Sequence, residues 1–133
     1  MGLRREDVVA VAREGAEVEL SRDAIDVMAA TRAHVDAMAA SDAPVYGIST
    51  GFGGLATTHI PAEQRARLQR SLIASHAAGI GPAIEAEVVR AMILLRVRTL
   101  ATGVTGARPE LAAALSDAPR GAAAVPRTAL TIQ

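Results

Sequence analysis

The stretch at residues 85–102 constrains the fold most, because large apolar side chains occupy nearly every side of the helix that it predicts. These side chains are Val88, Val89, Met92, Ile93, Leu94, Leu95, Val97 and Leu100. They leave only a narrow polar stripe, and a helix that is apolar nearly all round is typical of the interior of a large protein. We therefore expect this helix to belong to a larger assembly than 133 residues would build.

The remainder of the chain also predicts helices. By the spacing of their apolar residues, they cover 4–13, 21–40, 61–78 and 109–115. Ser21 is a suitable N-cap for the second of these. Val18 and Leu20 suggest a brief extended piece, but no stretch has the pattern of a convincing strand. Half of the sequence is hydrophobic, and its abundant Ala favours closely packed helices, so the predicted fold class is all-α.

The composition argues against several classes of protein. Fourteen basic residues balance fourteen acidic ones, whereas a nucleic-acid or membrane-surface protein shows a basic surplus. There is no Cys, and the three His lack the spacing of a metal site. No apolar run reaches the length of a membrane span, and the charged N-terminus is unlike a signal peptide. We expect a cytoplasmic protein without a metal, nucleic-acid or membrane partner.

A glycine-rich stretch between two prolines breaks the helical pattern, and we call it the tyrosine loop (residues 44–61). Residues 45–54 read VYGISTGFGG, with four glycines and the chain's single Tyr and single Phe. The stretch lacks the G-x-x-x-x-G-K-[ST] pattern of a phosphate-binding loop. Two interpretations stay open at this point, a structural turn and a loop that closes over a ligand.

Two ring side chains are candidates for chemistry. Tyr46 is the only phenol, and a phenol can act as a general base where its surroundings favour proton loss, although a lone Tyr more often serves in packing. His76 is predicted to lie on the apolar face of its helix, either as a core histidine or pointing into a pocket. Arg65, Arg67 and Arg70 are interpreted as a solvated helix face.

Four parts of the sequence, taken together, resemble one family. They are VYGISTGFG at 45–53, LQRSL and SHAAGIG at 68–72 and 75–81, RAMILLR at 90–96, and LATGVTGARPE at 100–110. In this order and spacing they resemble the aromatic amino-acid and histidine ammonia-lyases, roughly over residues 3–115. The resemblance implies that residues 1–115 form the N-terminal helical region of the ammonia-lyase (fumarase/aspartase-like) fold, with the tyrosine loop at the active site.

The resemblance also implies a reaction, the elimination of ammonia from L-histidine to give trans-urocanate in histidine degradation. Tyr46 would be the catalytic phenol on the base side, and His76 would bind the imidazole of the substrate. The pair Ser75-His76 favours histidine over the other substrates of the family. Ser49 departs from the many histidine enzymes that carry Asn there. The active-site loop that would close and exclude water comprises Gly47, Ser49, Thr50, Gly51, Phe52 and Gly53.

The electrophile of the family is a methylidene-imidazolone (MIO) ring, which forms from an internal Ala-Ser-Gly, so no external cofactor is implied. No such triplet occurs in this sequence. Residues 116–133 have the composition of a divergent low-complexity tail, which a frameshift or a disordered extension would explain. We therefore expect an N-terminal fragment that is inactive alone, from an enzyme that the resemblance implies to be a homotetramer.

Two alternatives stay open. The chain could be a fragment of a tyrosine or phenylalanine ammonia-lyase, or of a related aminomutase. It could also be a non-catalytic helical interaction module that has kept the fold without the chemistry. A module would be a compact monomer, whereas a fragment would aggregate through the apolar helix at 85–102.

Overall fold

The computed structural model of the protein describes residues 2–118 and 129–132. The chain forms two compact units. The first comprises Met1–Ala33 together with Ala83–Gln133, and the second comprises His34–Pro82. Within the described residues, no helix is both long enough and apolar enough to cross a membrane.

Helices dominate both units, which confirms the predicted all-α class. In chain order they are α1 (Arg5–Glu14), α2 (Arg22–Ala40), α3 (Ala62–His76), α4 (Ala86–Ala101) and α5 (Pro109–Asp117). Each begins and ends within two residues of its predicted limits. The backbone N–H of Ala24 donates to the Oγ of Ser21 at 3.1 Å, so the predicted N-cap of α2 is confirmed. This bond satisfies one of the N–H groups that the first turn of a helix leaves without a partner.

The prediction that the chain holds no convincing strand is wrong. Strands β1 (Glu17–Leu20) and β2 (Ala129–Ile132) pair in parallel, with Glu17 beside Ala129. The brief extended piece predicted at Val18 and Leu20 is β1. Strands of four residues are too short to show alternation, and a parallel partner far along the chain leaves no local signal.

The proposed boundary after Leu115 falls inside a helix, because α5 continues to Asp117. Ser116, assigned to the tail from its composition, is buried there, and its hydroxyl donates to the carbonyl of Ala112 at 2.9 Å. Residues 129–132 form β2, whereas residues 119–128 lie outside the described residues. The division into a domain and a divergent tail therefore stays a prediction.

The core of the first unit lies against one face of α4. Leu94, Val97 and Ala101 recur at helical spacing on that face, and all three are buried. They pack in one cluster with Val11 of α1 and Val18 of β1. Full burial of a side chain such as Leu94 or Val97 stabilises the fold by about 1.5–3 kcal/mol, so this face fixes the position of α4 in its unit.

The opposite face of α4 is exposed, although it is equally apolar. Met92 is 58% exposed and Leu95 is 50% exposed, and Val88 and Val89 are also exposed. Contiguous apolar surface of this kind marks interaction sites or surface that is normally covered. The expectation that this helix belongs to a larger assembly rests on this face.

The second unit has no buried hydrophobic side chain. Of residues 34–82, only Ser49, Thr50 and Gly51 are buried, and all three belong to the tyrosine loop. Helix α3 has no buried residue along its length. The best-packed part of this unit is therefore the loop, and the hydrogen bonds of the loop decide where its side chains point.

Candidate functional site

The tyrosine loop begins with a tight turn in which several backbone N–H groups donate to one carbonyl oxygen. The carbonyl oxygen of Val45 accepts hydrogen bonds from the backbone N–H groups of Ile48, Ser49 and Thr50 at 3.0–3.3 Å. Tyr46 lies inside this turn. Because the backbone on both sides is bonded, the Cα–Cβ direction of Tyr46 is fixed by its immediate neighbours.

The side chain of Ser49 closes the same turn from within. Its Oγ accepts from the N–H of Val45 at 2.8 Å and donates to the carbonyl of Ala43 at 3.1 Å. The residue is 0% exposed. A serine hydroxyl has one proton to donate, and here a backbone carbonyl takes it. Ser49, predicted as part of the active-site loop, is thus turned into the loop and holds the backbone on either side of Tyr46.

Thr50 makes a second closure. Its Oγ1 accepts from the N–H of Gly47 at 3.3 Å and donates to the carbonyl of Gly51 at 3.2 Å. Buried hydroxyls that are fully hydrogen-bonded avoid the cost of burying a polar group. The hydroxyls of Ser49 and Thr50 therefore both act on the backbone of the loop.

Gly47 and Phe52 set the surroundings of the phenol. Gly47 has φ of 72°, in the left-handed region that favours glycine, and a Cβ there would lie 3.1 Å from Cε1 of Phe52. The ring of Phe52 meets that of Tyr46 edge-on, with centroids 6.0 Å apart and planes at 77°, an arrangement that aromatic pairs prefer. The predicted loop residues Gly47 and Phe52 thus share one contact beside Tyr46.

Gly51 is required by close approach. A Cβ on Gly51 would lie 2.6 Å from Cβ of Leu55 and 3.0 Å from the Leu55 carbonyl oxygen. The backbone there pairs with the end of the loop, because the N–H of Gly51 donates to Thr58 at 3.1 Å and the N–H of Ile60 donates to Ser49 at 2.9 Å. Gly53 begins a short 3-10 turn, Gly53–Leu55. The loop is closed on itself at the position of Gly51.

Tyr46 itself points outward. Its side chain is 63% exposed, and its ring contact is with Phe52. No hydrogen bond from the described residues reaches its phenol oxygen. The one phenol of the chain is therefore held at its base and open at its tip.

Arg65 joins the loop to the start of α3, and its interpretation as part of a solvated face is wrong. Its Nε donates to the carbonyl of Ile60 at 3.0 Å, and its Nη1 donates to the carbonyl of Ala39 at 2.7 Å. Arg67 and Arg70 are exposed, as predicted. Sequence reasoning missed Arg65 because no pattern of residues marks a backbone carbonyl as the partner of a guanidinium.

His76 is the last residue of α3, and it is exposed. The predicted apolar face around it is exposed too, with Ile73 69% exposed. The Nδ1 of His76 lies 2.9 Å from the carbonyl oxygen of Leu72 and 3.0 Å from the Oγ of Ser75. The Oγ of Ser75 donates to the same Leu72 carbonyl at 2.9 Å. His76 is exposed and therefore not a core histidine in this chain.

The structure gathers the predicted loop residues around Tyr46, whereas the contacts of His76 are with its own helix. Gly47, Ser49, Thr50, Gly51, Phe52 and Gly53 belong to the closed loop that carries Tyr46. No hydrogen bond or ring contact in the part of the chain described here joins Tyr46 to His76. In that same part, no three His, Cys, Asp or Glu side chains gather as a metal ion would need.

Comparison with known proteins shows the family of this chain. The family model described as aromatic amino acid lyase matches residues 3–122. The chain belongs to the aromatic amino acid lyase family. Both Tyr46 and His76 lie within the matched stretch, as does the whole of the tyrosine loop.

Individual members of the lyase family match at high identity over part of their length. Histidine ammonia-lyase of Streptomyces griseus is 59% identical over 116 residues, which are 87% of this chain and 23% of that enzyme. The chain thus spans about a quarter of such relatives.

Two solved structures superpose closely on this chain. The histidine ammonia-lyase of Trypanosoma cruzi has a TM-score of 0.78 and 36% identity, and the match covers 88% of this chain and 22% of that one. The ergothioneine-degrading ergothionase of Treponema denticola has a TM-score of 0.84 and 35% identity, covering 88% and 24%.

Proposed function

We propose that this chain is the N-terminal part of a histidine ammonia-lyase, which eliminates ammonia from L-histidine and leaves trans-urocanate. The observation that carries the proposal is the 59% identity to the Streptomyces griseus histidine ammonia-lyase. The identities to the two solved enzyme structures, a histidine ammonia-lyase and an ergothionase, are lower, at 36% and 35%. The exposed phenol on a closed loop and the imidazole at the end of α3 support the assignment of roles.

In this proposal Tyr46 acts at the proton step. Its oxygen takes a proton from the β-carbon of histidine, the electrons of that C–H bond form the double bond, and the amine departs as ammonia. The exposed tip of Tyr46 suits a base that must reach a ligand, since a general base must come within hydrogen-bond distance of the proton. The closed loop keeps the phenol in one orientation.

His76 acts in binding. Its ring hydrogen-bonds the imidazole of the substrate and orients the β-carbon toward Tyr46. The loop residues Gly47, Ser49, Thr50, Gly51, Phe52 and Gly53 hold Tyr46 and help to exclude water when substrate is bound. Ser49 and Thr50 act through the backbone, because their hydroxyl protons are donated within the loop.

The methylidene-imidazolone supplies, when present, the electrophile that turns the amine into a better leaving group. This chain contains no Ala-Ser-Gly from which that ring could form, so its residues do not fit the group. We propose that the rest of the enzyme's length supplies the ring and that the 133 residues alone are inactive.

The cellular location and the oligomeric state of the enzyme belong to the same proposal. We assign it to the cytoplasm and to a homotetramer, in which the exposed apolar face of α4 would be covered. Residues 116–133 are assigned to a tail that diverges from the family, although the family model extends to residue 122.

A chimeric enzyme tests the proposed function. Residues 3–115 of this chain replace the matching segment of the Streptomyces griseus histidine ammonia-lyase, and the product is assayed with L-histidine, L-tyrosine and L-phenylalanine. We expect urocanate to accumulate from histidine at a rate near that of the parent enzyme, and the isolated 133-residue chain to form none. A chimera that prefers tyrosine or phenylalanine would replace the proposal with the corresponding ammonia-lyase.

Two substitutions in the chimera test the assigned roles. Tyr46→Phe removes the phenol oxygen and keeps the ring contact with Phe52, so we expect a loss of about 10²–10⁴-fold in kcat. His76→Gln is expected to raise KM for histidine more than it lowers kcat. Gly54→Ala, which has open space around it, serves as the neutral control.

The remaining alternatives have their own readouts. An aminomutase would form the β-amino acid in place of urocanate, which chiral chromatography of the chimera's products detects. An ergothionase, the activity of one structural neighbour, would consume ergothioneine faster than histidine. For the interaction module, analytical ultracentrifugation of the 133-residue chain decides: a compact monomer favours the module, and self-association favours the fragment.

A further inference from the structure

The end of α3 fixes more than the position of His76. The carbonyl oxygen of Leu72 is an acceptor and can donate nothing. It lies 2.9 Å from the Nδ1 of His76 and 2.9 Å from the Oγ of Ser75. Two hydrogen-bonding atoms at this distance from one acceptor must both bring protons to it, because an unprotonated nitrogen there would set two lone pairs against each other.

The hydroxyl of Ser75 reinforces the same assignment. Its single proton goes to the Leu72 carbonyl, so at its 3.0 Å contact with His76 the Oγ can only accept. The proton of Nδ1 is therefore shared between two acceptors, a carbonyl and a hydroxyl oxygen. In a neutral imidazole one nitrogen is protonated and the other is an acceptor.

We propose that Ser75 and the Leu72 carbonyl hold His76 in the Nδ1–H tautomer, so that its Nε2 presents a lone pair to the ligand. Ser75 is thus a positioning residue that sets the hydrogen-bond polarity of the site. The ring of the ligand must then offer a donor, such as an imidazole N–H or a phenol O–H, and an unsubstituted phenyl ring offers none. This inference rests on the proposed role of His76 in binding substrate.

The two other histidines of the chain provide internal references. His34 and His59 are exposed like His76, and neither ring takes part in a hydrogen bond with the described residues. An exposed imidazole without a fixed partner follows its intrinsic preference, which favours the Nε2–H form. A reversal at one position of three is therefore a property of that position.

Long-range ¹H–¹⁵N NMR of the full 133-residue chain measures the tautomer directly, at about pH 8, where ordinary imidazoles are neutral. The ring signals are assigned from the peaks that vanish in His76→Gln. We expect His76 to show a protonated Nδ1 and an unprotonated Nε2, and His34 and His59 to show the reverse preference. A His76 with protonated Nε2, or one indistinguishable from the other two, overturns the proposal.

Variants at Ser75 test whether its hydroxyl sets the tautomer of His76 or serves only in the structure of the helix end. Ser75→Ala removes one acceptor of the Nδ1 proton, and we expect the ratio of Nδ1–H to Nε2–H to fall several-fold. Ser75→Thr keeps the hydroxyl and should retain the ratio of the parent chain. An unchanged ratio in Ser75→Ala would show that Ser75 positions nothing. Because this readout needs no turnover, the tautomer can fail while the chimera is active, and it can hold while the chimera is inactive.

Discussion

The tyrosine loop and the end of α3 carry the two candidate functional rings, and they hold them in opposite ways. Tyr46 stands on a turn whose hydroxyls and backbone are bonded to one another, with Ser49 0% exposed beneath it. His76 ends a helix without a buried residue, and residues 73–89 are all exposed. The setting of Tyr46 is thus encoded in the loop, whereas His76 depends on a single helical turn.

The largest expected effect comes from a methyl group placed where the loop closes. Gly51→Ala puts a Cβ within 2.6 Å of Leu55 Cβ and 3.0 Å of its carbonyl oxygen, and the backbone cannot move aside cheaply. We expect a loss of about 3 kcal/mol in the free energy of unfolding. Urea unfolding followed by the fluorescence of Tyr46, which has no Trp or second Tyr to obscure it, measures this loss.

The matched control for that change is Gly54→Ala, a residue of the same loop with nothing within 4 Å of the added Cβ. Its midpoint in urea should equal that of the parent chain. If both variants unfold alike, the loop is not closed at Gly51, and the contrast with the end of α3 disappears.

A smaller effect is expected from Ser49→Ala. The change removes the hydroxyl of Ser49, a fully buried residue. The N–H of Val45 and the carbonyl of Ala43 then lose their hydrogen bonds to that hydroxyl. Loss of such bonds costs about 2 kcal/mol. The anisotropy of Tyr46 fluorescence should fall as well, because the turn loosens under the ring. Unchanged anisotropy would mean that Ser49 does not position Tyr46.

Arg65→Ala should cost somewhat less, about 1.5 kcal/mol, since Arg65, whose bonds reach the Ile60 and Ala39 carbonyls, is less buried than Ser49. Thermal unfolding followed by circular dichroism provides the measurement. Arg67→Ala removes the same charge from the exposed side of α3, and we expect it to be neutral. Equal effects of the two substitutions would restore the interpretation of Arg65 as a solvated residue.

The smallest effect on stability is expected from Ser75→Ala. It sharpens the comparison most, because it makes beside His76 the same substitution that Ser49→Ala makes beside Tyr46. Ser75 is exposed and lies next to His76. Ser75→Ala should change the free energy of unfolding by less than about 0.5 kcal/mol, although it shifts the tautomer of His76. If urea unfolding shows a loss as large as that of Ser49→Ala, the end of α3 is as well packed as the loop.

The sequence predicted the helices well because periodicity of apolar residues is a local property. Leu94 and Val97 lie three apart and share the buried face of α4. The glycine-rich loop was equally predictable, because its glycines meet local requirements. Gly47 has a positive φ, and Gly51 lies too close to Leu55 to carry a side chain. These are constraints that one residue type satisfies almost alone.

Hydrogen-bond partners could not be predicted in this way. The inward direction of Ser49 and the carbonyl partners of Arg65 depend on where backbone atoms lie in space, and any residue supplies such atoms. The pairing of β1 with β2 was missed for a related reason, because four-residue strands from distant parts of the chain carry no pattern of their own.

That pairing also orders events in time. Contacts between segments close in sequence form early, whereas distant segments pay a larger loop-closure entropy before they meet. A parallel partner for Glu17–Leu20 at Ala129–Ile132 is among the most distant contacts that this chain can make. During synthesis, β1 therefore emerges long before β2, and its edge stays unpaired while α2 and α4 form. The strand pair is expected to be the last element of its unit to form.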